Sequence, residues 1–283
     1  MKVAFLTDTG TGVSVETWKQ RGVYCVPLQI EYDGSSYEEM ETITYNQFIQ
    51  NLHLEKDMKT SLPSLGRIED CFDDMIQNGF DTVFAVPICR GLSSTLDTMA
   101  MIARQKEMDF IGIDCFVTAV VQEKMILKAK ALYEQGVDLK EIESRVQKMA
   151  DGCETILLCD DLQHMSRGGR LTPMAATLGG LLKIKPILKI DQSTSGKVDV
   201  MDKVRTMKKA QDKVIEMLKQ KGVDASFTFV VAHVDALDGA KEYAQKIRAA
   251  FEGAEVSIIP LVSVVGIHTG LGCLALQVFQ ENV

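Results

Sequence analysis

The chain has 283 residues, of which 46% are hydrophobic and 25% charged, and its net charge is −8 with no basic tract. That length and composition suit two domains of an ordinary globular protein. The charge argues against nucleic acid, whose phosphates need clustered Lys and Arg, and against adhesion to an anionic bilayer.

No apolar stretch is long enough to span a membrane, and Met1–Leu6 meets polar Thr7-Asp8 too soon for a signal peptide. Lys2–Thr7 opens the chain as a strand, and Val13–Arg21 reads as a helix closed by Gly22. Val23–Tyr32 is strand-like up to the turn dipeptide Asp33-Gly34. Thr44–Leu54 is predicted helical with Thr44 as cap. Leu65, Ile68, Phe72, Met75 and Ile76 share one helical face that ends at Gly79. Thr82–Ile88 is a buried strand, Thr95–Gln105 a helix and Phe110–Asp114 a strand. Two helices follow, the second opened by the capping box Asp138-Leu139-Lys140-Glu141. Strands alternating with helices predict a mainly parallel sheet covered on both faces, a three-layer α/β/α domain over residues 1–152.

After Gly152 the pattern changes. Thr155–Asp160, Ile184–Asp191, Lys197–Met201, Phe227–Val234, Glu255–Leu261 and Cys273–Phe279 read as strands. Helices are expected near Thr172–Leu182, Val204–Lys221 and Ala240–Phe251. Ser193-Thr194-Ser195-Gly196 is a hairpin-type link. A two-layer α/β domain with a mixed sheet and helices on one side is expected over 153–283.

Several motifs fall short of a known chemistry. Thr9-Gly10-Thr11-Gly12 follows a strand like a dinucleotide loop, but Val15 stands where the third glycine belongs, so a helix-capping turn is expected. His53, His164, His233 and His268 lack metal-ligand spacing, and Asp160-Asp161 fits a solvated turn better than a metal pair. No metal and no cofactor is expected. The seven cysteines include no CxxC pair and are expected to be reduced, mostly buried thiols of a cytoplasmic protein. Ser93 with His268 would suit acyl transfer, but the Gly-x-Ser-x-Gly elbow is absent.

Four runs hold better. Pro63 keeps Thr60-Ser61 extended before a helix beginning at Ser64. Gly91–Thr95 lies at the carboxyl end of a strand, the edge where open α/β sheets bind ligands. Both runs offer hydroxyls and free helix amides to an anion, and both also fit simple capping. Arg167-Gly168-Gly169-Arg170 combines conformational freedom with two guanidinium forks. Its downstream apolar stretch, with Met174, Leu178, Leu181, Leu182 and Ile184, fits a tunnel lining or plain core. Gly266–Gly272 sets His268 among three glycines, as close backbone approach would require.

At these residues the chain resembles the DegV family of bacterial fatty-acid-binding proteins, which includes the FakB subunits of fatty acid kinase. The motifs are Thr60-Ser61-x-Pro63-Ser64, Leu92-Ser93-x-Thr95, Gly168-Gly169-Arg170, Leu182-x-Ile184-Lys185-Pro186-Ile187-Leu188 and Gly266-x-His268-x-Gly270-x-Gly272. The resemblance implies two α/β domains with one long-chain fatty acid between them. It implies that Thr60 or Ser61 and Ser93 or Ser94 hold the carboxylate, that Arg170 and His268 complete the polar network, and that the tail enters the second domain. It further implies a separate kinase catalytic subunit (FakA-like) that phosphorylates the bound carboxylate with ATP and magnesium, the carrier itself having no catalytic residue. Arg167 and Arg205 are expected at the mouth as kinase contacts. Leu62, Ser94, Cys115, Leu271 and Thr9-Gly10 depart from the family pattern. The alternative is a hydrolase, or a subunit resembling dihydroxyacetone kinase, using Ser93 and His268.

Overall fold

A computed structural model describes residues 2–159, 162–177 and 184–281. The expectations placed on Asp160, Asp161, Leu178, Leu181 and Leu182 lie outside the described residues. Strand β1 (Val3–Asp8) is buried throughout and forms the centre of a parallel sheet. With β2 (Tyr24–Val26), β6 (Thr82–Ala85) and β7 (Asp109–Gly112) the order is β2-β1-β6-β7. Side chains alternate across a strand, and the two sets meet different helices. Val3 and Phe5 pack with α1 (Val15–Gln20), α5 (Ala119–Glu134) and α6 (Leu139–Asp151). Ala4 and Leu6 pack with α3 (Leu65–Gln77) and α4 (Thr95–Gln105) on the other face. This is the expected three-layer arrangement.

The single strand expected over Val23–Tyr32 is broken in two. Pro27 has no N–H for a ladder, and the Leu28 amide instead donates to Thr9 Oγ1 at 3.0 Å. Beyond the break, β3 (Gln29–Tyr32) leaves the parallel sheet. It pairs antiparallel with β4 (Ser35–Glu38) and β5 (Lys59–Ser61) in a separate three-stranded sheet. Asp33 and Gly34 turn the β3–β4 hairpin at φ 53° and 73°, the left-handed pair that a tight two-residue turn requires. Between β4 and β5 lies α2 (Tyr45–His53), closed by the Thr44/Gln47 capping box.

Two smaller expectations fail. Leu65 and Ile76 are exposed, so the buried face of α3 is only Ile68, Phe72 and Met75. Asp138 caps α6 through the Lys140 amide, while Glu141 pairs with Arg145 rather than closing a box.

The later half carries a six-stranded mixed sheet. Its strands are β8 (Glu154–Leu158), β9 (Lys185–Asp191), β10 (Asp199–Val204), β11 (Thr228–His233), β12 (Glu255–Pro260) and β13 (Leu274–Phe279). The order is β10-β9-β8-β13-β11-β12, and only β11 and β12 are parallel. Short α7 (Leu162–Ser166) and α8 (Pro173–Ala176) lie between β8 and β9. Helices α9 (Met207–Gln220) and α10 (Leu237–Ala250) cover one face through Ile156, Leu158, Phe229, Val231 and Leu276.

The opposite face is closed differently. Leu157, Leu188, Ile190, Ala232 and Ala275 meet α11 (Ser263–Thr269) together with Leu28, Ile30, Phe48 and Leu52 from the first half. The excursion from β3 to β5 therefore crosses onto the second sheet. Of the glycine-dense run Gly266–Gly272, the first four residues belong to α11, which ends at Thr269. Gly266 sits inside it because a Cβ there would lie 2.6 Å from Phe48 Cζ of α2.

Candidate functional site

The crossing excursion and the second sheet line a narrow cavity of about 50 Å³. Leu28, Ile88, Leu157, Met165, Ile190 and Val264 form its apolar walls. Thr60, Ser61, Ser93, Arg170 and His268 also line it, so five of the six sequence-predicted residues converge. The sixth, Ser94, faces a shallower recess outside, with Arg90, Leu62 and Gly169. A polar groove with Lys59, His164 and Arg167 opens beside the mouth and shares Thr60, Arg170 and His268 with the cavity.

Thr60 is set by β-pairing opposite Ile30 of β3. Its Oγ1 lies 2.7 Å from His268 Nε2, which α11 brings from the far end of the chain. Ser61, next along the strand, directs its hydroxyl to Glu31 Oε1 at 2.7 Å. Ser93 Oγ lies 2.8 Å from Thr95 Oγ1 and accepts from the Thr95 amide at 3.4 Å. Ser93, not Ser94, thus bonds the start of α4. The half-buried Arg170 donates from its NH1 nitrogen to the Gly168 carbonyl at 2.6 Å and from Nε to that of Leu92 at 3.4 Å. This ties the arginine run to the serine run.

His268 is neutral. Burial first, then the Arg170 cation and His164, push its pKa down to about 3. Its ring stacks against the bare Cα of Gly168, where a Cβ would stand 2.4 Å from Nδ1. His164 donates from Nε2 to the Ile267 carbonyl at 2.6 Å and fixes the same turn of α11. Gly91 meets Gly196 of the β9–β10 link so closely that a Cβ on Gly91 would fall 2.1 Å from the Gly196 carbonyl carbon. The two halves are seated against each other at the rim.

Behind the cavity residues Ile88 and Val264, whose amides they bind, lie two buried carboxylates that sequence reading missed. Asp8 is fully buried and accepts from the amides of Gly10 and Ile88 and from Gln122 Nε2, each at 2.9 Å. Burial pushes its pKa up to about 6. Glu39, also fully buried, accepts from Thr9 Oγ1 at 2.7 Å and from the Val264 amide at 2.9 Å. Burial raises it to about 7. Val262, at the N-cap of α11, supplies no side-chain bond, so Glu39 caps the histidine-bearing helix across 225 residues. The available signal was Asp8 ending β1 before a Thr-Gly turn; nothing local marked Glu39.

The glycine loop after β1 forms one 3-10 turn over Thr9–Thr11, capped by Asp8. A Cβ on Gly10 would lie 2.7 Å from Asp8 Oδ1, so this cradle is filled from within and has no room for phosphate. Among the described residues no group of three His, Cys, Asp or Glu side chains is arranged to hold a metal. All of the seven cysteines but Cys71 are buried.

Two expectations are corrected. Ser93 and His268 form no nucleophile–base pair, because each hydroxyl and ring is engaged elsewhere, with Thr95 and Thr60. Arg205 is not at the mouth. It follows the far end of β10, roughly 20 Å along the strand from the cavity residue Val198 at ~3.3 Å per residue. Of the departures from the family pattern, Leu62 and Ser94 line the outer recess, while Cys115 is buried in the first core, away from the cavity.

No helix among the described residues is long and apolar enough to cross a membrane. A family model described as "Uncharacterised protein, DegV family" matches residues 2–281. The DegV domain-containing protein BH3627 of Halalkalibacterium halodurans is 30% identical over 284 residues, covering 99% of each chain. The structure of the fatty acid binding DegV family protein SAG1342 from Streptococcus agalactiae superposes with TM-score 0.90 at 27% identity, covering 100% of both chains. That of DegV, a fatty acid binding protein from Bacillus subtilis, gives 0.85 at 25%, covering 99% of each. An apolar cavity closed by a polar mouth, on a fold shared end to end with these proteins, places the chain in the DegV family.

Proposed function

We propose that the protein binds one long-chain fatty acid between a first domain, 1–152, and a second, 153–283, in the cytoplasm. The carboxylate rests at Thr60, Ser61, Ser93, Arg170 and His268, with Ser94 on the outer rim, and the tail lies along Leu28, Leu157, Met165 and Ile190. The observation that carries this reading is the junction of an apolar cavity with a mouth of hydroxyls, one guanidinium and one neutral imidazole. Buried cations and neutral donors of this kind suit a single anion. Two neighbours that share the fold are named as fatty acid binding proteins.

The energetics support a tail-driven carrier. Each buried methylene contributes roughly 0.8 kcal/mol, so a sixteen-carbon acid gains on the order of 10 kcal/mol gross. A charged hydrogen bond adds about 1.5–3 kcal/mol net. The tail sets affinity and the head group sets direction. The carboxylate, held at the rim, is presented to the catalytic subunit of a fatty acid kinase (FakA-like) for acyl-phosphate formation, with Arg167 in the adjoining groove as a contact.

Titration calorimetry with palmitate, together with mass spectrometry of lipid carried through purification, tests binding. Heat and a recovered acid are expected; neither appearing overturns the reading. Arg167→Glu is expected to slow acyl-phosphate formation by a supplied kinase subunit, and an unchanged rate removes Arg167 from the contact.

A further inference from the structure

Thr269 lines the cavity but neither the outer recess nor the polar groove. It is 1% exposed. Its Oγ1 has no hydrogen-bond partner among the described residues. The position on α11 explains why the residue lines the cavity. Val264, Val265, His268 and Thr269 all line the cavity, and their pattern of i, i+1, i+4 and i+5 puts them on one helical face. Thr269 is the last residue of that helix, one turn below Val265. A threonine here ordinarily bonds the carbonyl four residues back, yet Thr269 makes no such bond.

A buried hydroxyl without a partner lowers folded stability, because its desolvation is not repaid. Such groups are rare and call for an explanation; unlike the other one among the described residues, that of Tyr243 in the helix-covered core, the Thr269 hydroxyl belongs to a residue that lines the cavity. Every other polar side chain lining the cavity is already engaged: Thr60 with His268, Ser61 with Glu31, Ser93 with Thr95 and Arg170 with two carbonyls. A carboxylate brings two oxygens that accept several hydrogen bonds.

We infer that Thr269 is a ligand contact in its own right, its hydroxyl donating from the cavity side to a carboxylate oxygen of the bound acid. This deepens the fatty-acid reading and rests on it. The neighbouring His268 holds the rim of the head-group site and Thr269 its inner edge, so a carboxylate seated between them has donors on two sides. The hydroxyl is then a specificity element, favouring an ionised acid over a hydrocarbon tail of equal length and over neutral head groups.

Thr269→Val keeps the shape and deletes the donor, while Thr269→Ser keeps the donor. Purified wild type and both variants are titrated with palmitate and with 12-hydroxystearate, and the ligand-free proteins are melted. The expected result for Thr269→Val is a palmitate affinity about tenfold weaker. With no orphan hydroxyl, its ligand-free melting temperature rises by about 2–4 °C. Thr269→Ser stays within about threefold of wild type for palmitate, as one retained hydrogen bond requires. Thr269→Val binding palmitate as tightly as wild type overturns the assignment, and so does a lowered ligand-free melting temperature. A loss confined to 12-hydroxystearate also overturns it, because the hydroxyl then serves a chain oxygen. A wild-type protein that binds no palmitate overturns the fatty-acid reading itself, a result distinct from a wild type that binds and a variant that binds equally.

Discussion

Arg170 gives a direct measure of how head group and tail divide the binding energy. Its guanidinium is half-buried and donates to the Gly168 and Leu92 carbonyls at 2.6 and 3.4 Å. Arg170→Ala removes a cation from the mouth but leaves the apolar walls intact. A lost charged hydrogen bond is worth about 1.5–3 kcal/mol, which is roughly a 10- to 150-fold weaker palmitate complex. The tail contribution, on the order of 10 kcal/mol gross, is untouched, so binding survives. Folded stability falls by no more than about 1 kcal/mol, since both carbonyls lie near the rim where water replaces the guanidinium. Calorimetry against palmitate and 1-hexadecanol separates the two parts. The acid loses affinity by that factor, and the neutral alcohol changes less than about threefold, because it forms no charge-assisted bond. Equal losses for both ligands, or a palmitate change under threefold, refute the assignment of Arg170 to the carboxylate.

Other perturbations probe the surrounding frame. Gly168→Ala drives a methyl group to 2.4 Å from His268 Nδ1. It is expected to displace the ring, break its bond to Thr60 and weaken palmitate binding about tenfold; a crystal structure with the ring unmoved contradicts this. His268, held near pKa 3, is expected to show no imidazole titration by NMR between pH 5 and 8. Its depressed folded-state pKa gives a stability contribution that is complete above about pH 6.5 and declines as pH falls toward 3. Glu39 acts in the opposite sense. Its pKa rises from 4.5 to about 7 on folding, so the folded state holds its proton longer and stability falls as pH rises from 4.5 through 7. The full effect is about 3 kcal/mol. Urea unfolding at pH 5 and 7.5 is expected to show a smaller pH-dependent loss in Glu39→Gln than in wild type; identical slopes exclude Glu39 as the group responsible.

Local pattern was enough for most elements and for the donor types. Helix α4 runs over Thr95–Gln105 as its apolar spacing predicts, and the Thr44 and Ser64 caps act as their side chains suggest. Two regions read differently in three dimensions. The apolar run from Val23 continues through Pro27 in sequence, but a proline and a captured Leu28 amide end one sheet and begin another. The glycines of Gly266–Gly272 are poor helix formers, yet α11 runs through Gly266 to Thr269, and close packing on Phe48 makes Gly266 the residue that a short helix needs there. Tertiary contact overrides propensity in both places.

Composition, periodicity and motif order by themselves determined two α/β halves, the residue types of an anion cradle and which runs carry them. These properties depend on neighbours a few positions apart. Only the tertiary structure decided which hydroxyl faces the cavity, that Ser93 and His268 do not pair, and that Glu39 anchors a helix more than two hundred residues away. Burial and the meeting of distant side chains exist only once the chain has closed on itself, and they alone set the neutral imidazole, the raised carboxylates and the unpartnered hydroxyl of Thr269.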